Sequence, residues 1–261
     1  MNFLVILAFF IASGVVGYVI LTSTDDPGNF IDVHGLMVVL GGTFACAAIA
    51  YQLDRIFTLM KVFLIRMVKG KKPNYKNTII ELVEINKALN NGADPASEIE
   101  KCKDFFMKDN MKLAFDNLLE PRDLQMVLYK RVKTRYDRYL EDAKMFEGLG
   151  KYPPAMGLMG AVIGMIALLG GLGKPGAEAT VGPAMSVALI ATFYGIAFAN
   201  LIIIPIGDNL IESAKQEKVK NTIIVEGILL LKERSNPMIL VEKLNSYLLP
   251  SEQLNWKDYI A

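Results

Sequence analysis

Hydrophobic and polar positions are segregated along this chain into long blocks. Four stretches hold no Asp, Glu, Lys or Arg: residues 3–21, 35–51, 152–173 and 179–207. A helix rises about 1.5 Å per residue, so each stretch approaches or exceeds the ~30 Å hydrocarbon thickness of a bilayer. Four transmembrane helices are therefore predicted. Four buried helices of a soluble protein fit less well, because all 28 basic and 27 acidic side chains fall outside these blocks. The first block lacks a positively charged n-region and a small-residue cleavage site, and reads as a retained span rather than a signal peptide. The second is the shortest, and its polar flank holds Asp32 and His34.

The polar segments carry helical periodicity of their own. After a breaker cluster at 70–74, residues 77–90 place Ile79, Ile80, Val83, Ile85 and Leu89 on an apolar face, and Asn90-Asn91-Gly92 ends the helix. Asp94 followed by Pro95 is an N-cap and first-turn pair, predicting a helix that runs through Phe105 and Phe106. Pro121 opens a long pattern through Leu124, Leu128, Val132, Tyr139 and Phe146 to the glycines at 148–150, predicted to continue the third span. Residues 208–232 are helical again. Asn236-Pro237 starts an amphipathic helix predicted to end at Pro250. The expected fold is an all-α membrane protein: spans one and two in residues 1–51, a helical cytoplasmic domain at 52–151, spans three and four at 152–207, and a helical C-terminal tail at 208–261.

Charge placement sets the orientation. Residues 22–34 hold Asp25, Asp26 and Asp32 but no Lys or Arg, whereas 52–72 hold Arg55, Lys61, Arg66, Lys69, Lys71 and Lys72 against Asp54. Lys215, Lys218 and Lys220 follow span four. Positive residues stay inside, so both termini and the middle segment are expected in the cytoplasm.

The remaining chemistry is read mostly by exclusion. A net charge of +1 without a basic stripe argues against nucleic-acid binding. Two Cys and one His are too few for a metal centre or disulfide framework, so no metal and no cofactor are expected. There is no P-loop and no nucleophile–base set, so no enzyme is expected. His34 reads as an interfacial residue. The informative feature is the lack of a carboxylate inside any span. An autonomous ion carrier keeps an ionisable group near the midplane. Either the chain carries no ions, or a partner brings the acid. Gly157, Gly160, Ala161 and Gly164 recur at helical spacing, which permits close helix approach in lipid, within one subunit or between subunits. Among the hydroxyls of the spans (Thr43, Ser186, Thr192, Tyr194), most are explained by back-bonding to a helix carbonyl; Thr192 is the best placed to face a pore. Pro154 starts span three and Pro205 bends span four.

These residues carry a resemblance. The run from Gly150 through Pro154, Gly157, Gly160 and Ala161 to Gly164 is similar to the third-span signature of the flagellar motor stator proteins MotA and PomA. The run Gly182-Pro-Ala-Met-Ser through Ala191-Thr192-Phe193-Tyr194-Gly195 to Asn200, Pro205 and Asp208 resembles their fourth span. Glu226-Gly227, Asn236-Pro237 and Tyr247-Leu248 resemble their C-terminal element, and the layout matches over the whole chain. The resemblance implies a ring of five copies around two copies of a MotB/PomB partner, whose single span supplies the ion-carrying Asp. Ion flow would turn the ring, and cytoplasmic loops would push the rotor switch protein. It puts Thr192, Ala161 and Tyr194 on the ion pathway, Pro154 and Pro205 in conformational coupling, and Glu98, with Lys87 and position 90, at the rotor. Two departures stand out. Position 90 is Asn where the family has Arg, so the rotor contact is expected to draw on other charges, such as Lys87 or the Arg131, Arg135 and Arg138 row. Ala161 replaces the Thr of sodium-type members and offers no oxygen to Na⁺, which favours protons. The alternatives are an ExbB/TolQ-like motor energising envelope transport and a non-conducting membrane scaffold.

Overall fold

The computed structural model describes residues 3–24, 26–58, 60–61, 73–172 and 178–257, and among them every regular element is helical. The chain divides into two compact units, residues 1–71 with 140–211 and residues 72–139 with 212–261. Residues 70–72 of the predicted breaker cluster, and with them the basic residues Arg66, Lys69, Lys71 and Lys72, lie outside the described residues.

The first unit holds the apolar helices. Phe3–Ser23 is α1 and Val33–Ala50 is α2, with Asp32 capping α2 by accepting the Gly35 N–H at 2.5 Å. Tyr152–Gly171 is α7 and Glu178–Phe198 is α8. Among the described residues, three helical runs, containing α2, α7 and α8, are long and apolar enough to cross a membrane, and α1 is an uncharged apolar helix beside them. The polar face a soluble helix would need is missing: Leu158, Val162, Ile163, Ile166 and Leu169 of α7 are all exposed. Outward-facing aliphatic side chains of this density belong in lipid or against other apolar helices. The chain is an all-α membrane protein.

The second unit is a water-compatible helical bundle with an apolar core. It comprises α3 (Tyr75–Asn90), α4 (Pro95–Lys101), α5 (Phe105–Phe115), the first part of α6 (Pro121–Leu149), the latter part of α9 (Ile204–Lys232) and α10 (Pro237–Asn245). Leu82, Met107, Met111, Leu128, Ile224, Ile228, Leu240 and Leu244 are at or near zero exposure in one cluster. Burial of this kind contributes roughly 1.5–3 kcal/mol per large side chain. Gly227 lets α9 approach α3: a Cβ there would lie 2.9 Å from Leu82 Cδ2. Polar groups fasten the bundle. Tyr129 donates to Glu226, Lys220 pairs with Asp104, and Asn245 both donates to and accepts from the Leu254 backbone at 2.9 Å. Burial and the Glu226 carboxylate push the Tyr129 pKa up, which keeps its hydroxyl a donor.

Three predicted boundaries move. The helix begun by Pro95 stops at Lys101 instead of running through Phe105 and Phe106. Asp104 takes an extended conformation and caps a new helix by accepting the Met107 N–H at 3.0 Å. The last helix ends at Asn245, and Pro250 opens a separate 3-10 turn, Pro250–Glu252, because its missing N–H suits a first turn. The tail helix, predicted from residue 208, starts at Ile204 and is continuous with the fourth apolar helix through Pro205. A π-helical turn, Ala199–Ile203, widens the helix just ahead of the proline, so α8 leads into α9. The wider turn removes the clash between the proline ring and the carbonyl four residues back.

Candidate functional site at the α7–α8 contact

The tightest packing in the first unit is between α7 and α8, and glycine sets it. A Cβ at Gly157 would lie 2.7 Å from the Ala191 carbonyl oxygen, one at Gly160 2.9 Å from Ala191 Cβ, and one at Gly164 3.1 Å from Ala188 Cβ. Gly195 returns the contact near the other end, with Pro154 Cα 3.1 Å from its would-be Cβ. As the position on α7 rises, its partner on α8 falls, so the two helices run antiparallel in one fixed register. Small residues at i, i+3 and i+7 make this approach possible where lipid offers no hydrophobic drive between helices. The sequence pointed to Gly157, Gly160 and Gly164; it did not point to Gly195, nor to Gly35 on α2, whose would-be Cβ lies 3.3 Å from Ala191 Cα.

Thr192 sits in the middle of this seam. Its hydroxyl reaches the Ala188 carbonyl at 3.3 Å, the usual back-bond four residues earlier, and the Gly157 carbonyl of α7 at 3.4 Å. In the α7 ladder the Gly157 carbonyl is also the acceptor for the Ala161 N–H. Thr192 and Ala161 therefore meet at one oxygen. The hydroxyl and two carbonyls form a small oxygen-rich spot within the stretches 152–173 and 179–207, which hold no Asp, Glu, Lys or Arg. Oxygens of this kind can pass a proton or coordinate a cation but cannot hold a charge alone.

Tyr194 occupies a different place from Thr192. Its hydroxyl donates to the Phe30 carbonyl at 2.5 Å and accepts the Asp32 N–H at 3.1 Å, and Phe193 meets Phe30 edge-on at 6.2 Å. Tyr194 thus staples α8 to the turn between α1 and α2. Its ring lines an apolar cleft with Phe9, Leu36 and Leu40, so its polar atom is spent on backbone. Nothing in the sequence distance of 162 residues signals that pairing. His34 is largely exposed, 3.7 Å from Asp32.

The prolines flank the end of the seam formed by the α7 N-terminus and α9. Pro154 lies in the first turn of α7, where its missing N–H costs nothing, against Gly195. Pro205 follows Ile204, whose Cγ1 would lie 2.8 Å from a Cβ at Gly150. Below them Phe146, Leu149, Ile203, Ile206 and Leu210 extend the packing, and Arg55 pairs with Asp142, Nε to Oδ1 at 2.6 Å.

The predicted rotor-facing residues lie in the second unit around the turn that closes α3, where Gly92 takes a left-handed φ of 88°. Asn90 donates to Asn86 Oδ1 at 3.2 Å and to the Ser235 carbonyl at 3.5 Å, so its amide is turned inward. Glu98 is 8% exposed and accepts from Lys101 at 2.6 Å. Lys87 is half-buried on the last turn of α3. The structure puts Lys87 and Asn90 on the last turn of α3, whereas Glu98 lines a separate cleft with Glu81, Glu84 and Lys103 and is already paired with Lys101.

An all-helical membrane protein with one close helix pair, its seam uncharged and holding hydroxyl and carbonyl oxygens, is the class these features define. Residues 98–222 match the MotA/TolQ/ExbB proton channel family. The chain is 31% identical over 234 residues to motility protein A of Borreliella burgdorferi, covering 87% of each chain. It is 29% identical over 225 residues to the chemotaxis protein PomA of Vibrio alginolyticus, covering 85% of each. Its fold matches the MotAB stator complex of Bacillus subtilis, with a TM-score of 0.82 at 24% identity over 96% of this chain and 97% of that one. The MotAB structure of C. jejuni matches with the same score at 23% identity. The chain belongs to the motility protein A family.

Proposed function

We propose that the chain is the ring-forming subunit of a flagellar stator, five copies around a MotB/PomB-like pair in the bacterial inner membrane, with both termini cytoplasmic. The partner's span supplies the titratable Asp that the four spans of this chain lack. Ions reach that Asp along the α7–α8 seam, and each transfer lets the ring step against the rotor. One charge crossing 100 mV yields ~2.3 kcal/mol, enough to bias a step. The observation that carries this reading is the Thr192 hydroxyl at the Gly157 carbonyl, an oxygen pair in a seam without charge. Such a pair assists ion transfer only beside a charge that it does not itself provide.

Protons are the proposed ion. Ala161 gives the seam no side-chain oxygen at the turn where a Na⁺ ligand would be needed, and Na⁺ requires several oxygens to replace its water. No enzymatic step and no cofactor enter this scheme. The four-span layout and the motility relatives favour the flagellar machine over an ExbB/TolQ-like energiser of envelope transport, and over a scaffold without flux.

Thr192→Val is the direct test of the seam. Valine keeps the shape and removes the hydroxyl. The complex is expected to assemble while proton flux and motor torque fall several-fold. Full torque in the Thr192→Val motor would remove Thr192 from the pathway. Swimming is expected to stop with a protonophore and to ignore external sodium; sodium dependence would overturn the choice of ion.

A further inference from the structure

In the second unit, α5 and α6 enclose an open groove of about 660 Å³. Small-molecule sites measure roughly 300–1,000 Å³ and are apolar at the bottom. The groove matches in both respects, with Phe106 and Val127 in its lining. Two of its guanidinium groups are already held in place. Arg131 donates to Asp109 at 2.9 Å and to Asn110 Oδ1 at 3.0 Å. Arg135 lies over two aromatic rings, 5.3 Å from the Phe106 centre and 5.6 Å from that of Tyr139. Its enclosed Nε–H meets no acceptor, so it is the rings that hold this side chain. Lys130 and Arg138, both exposed, stand on the same face of α6. Asp109 is the only carboxylate in the lining, which leaves three positive charges unbalanced. Among the described residues, Lys130, Arg135 and Arg138 pair with no carboxylate, in contrast to Arg131. At the mouth, Phe105 is 78% exposed on the first turn of α5.

We infer that this groove is a binding site for a nucleotide, its phosphates taken by Lys130, Arg135 and Arg138 and its base stacked on Phe105. The site is independent of the stator reading above, since it is a property of the purified chain. Three unbalanced cations in a slot of this size call for several negative charges on one compact group. A diphosphate supplies them and a single carboxylate does not. Guanidinium planes fixed in advance suit phosphate oxygens, because little side-chain entropy is left to lose on binding. The exposed ring of Phe105 beside them can stack on any planar base, since every base has a π face. Asn110 is the only side-chain amide in the lining, and it is committed: its oxygen to Arg131, its nitrogen to the Phe106 carbonyl at 2.7 Å. No amide is left to read a base edge, so adenine and guanine nucleotides are expected to bind alike. A phospholipid headgroup shares the phosphate but brings no base for Phe105.

The test is calorimetric titration of the full chain in nanodiscs of neutral phosphatidylcholine with ADP, GDP, pyrophosphate and adenosine. ADP and GDP are expected to bind within a few-fold of each other, pyrophosphate at least tenfold more weakly, and adenosine not measurably. Because Lys130 and Arg138 are exposed, Lys130→Gln/Arg138→Gln is expected to keep the melting temperature and to lose at least tenfold in ADP affinity. Phe105→Ala is expected to weaken ADP several-fold and leave pyrophosphate unchanged, the signature of stacking. Lys133→Gln, exposed on α6 outside the groove, is expected to bind ADP as before. Phosphatidylglycerol added to the nanodiscs is expected not to displace ADP. The inference is overturned if neither nucleotide binds, if the double variant binds ADP undiminished, or if Lys133→Gln loses as much as the double variant. It is overturned equally if pyrophosphate binds as tightly as ADP, which would leave an anion site only, or if phosphatidylglycerol displaces ADP, which would make the ligand a lipid headgroup.

Discussion

At the scale of the residue, the account turns on side chains that share an oxygen or a charge. Thr192 and Ala161 converge on the Gly157 carbonyl, whereas Tyr194 spends its hydroxyl on Phe30 and Asp32. Tyr194→Phe should therefore loosen the α1–α2 turn, lowering the melting temperature of the solubilised protein by an amount equivalent to about 1–3 kcal/mol, with conduction per assembled complex little changed. Loss of conduction in a fully stable Tyr194→Phe protein would return Tyr194 to the pathway. Asp104 gives a pH dependence. Burial opposes its ionisation, but the Lys220 ammonium and the Met107 N–H outweigh it and hold the carboxyl below its ordinary range. A lowered folded pKa stabilises the bundle above the unfolded value, ~3.9 for Asp, and the contribution drains away as pH falls below that. Thermal stability should decline on acidification, and Asp104→Asn should flatten part of that decline; an unchanged acid slope would show the pair to be inert. The chain-distant pairing of Tyr194 and the cap at Asp104 were not legible in the sequence. The first joins residues 162 positions apart, and the second competes with an apolar periodicity that runs straight through it.

At the scale of the element, periodicity and the absence of charge were enough to locate the long apolar helices and the small-residue seam. The glycines at 157, 160 and 164 all proved to lie where α7 comes close to α8. What the pattern could not supply was the partner's register, because Gly195 and Ala191 become meaningful only once the helices are set antiparallel. The π turn at Ala199–Ile203 was hidden for a related reason: Pro205 signals a bend, but the wider turn ahead of it shows only once Ile203 and Ile206 are packed. The seam predicts a graded series. Gly157→Val should destabilise by about 1–3 kcal/mol or abolish assembly, since backbone faces the new side chain. Gly170→Ala, with open space around it, should be neutral or slightly stabilising on the same melting curve. Equal sensitivity at both positions would mean that the seam is not the structural constraint.

At the scale of the whole molecule, an apolar unit of spans and a polar helical bundle are threaded by the same two helices, α6 and α9, each contributing to both. The four long apolar stretches hold no Asp, Glu, Lys or Arg; every one of these residues is confined to the segments between and after them. A machine that moves ions cannot run on such helices alone. The decisive measurement is proton flux into liposomes under an imposed membrane potential, with this chain reconstituted alone and then with its single-span partner. The account predicts no flux above the lipid background for the chain alone, flux with the partner, and its loss when the partner's Asp becomes Asn. Flux through the chain by itself would contradict it.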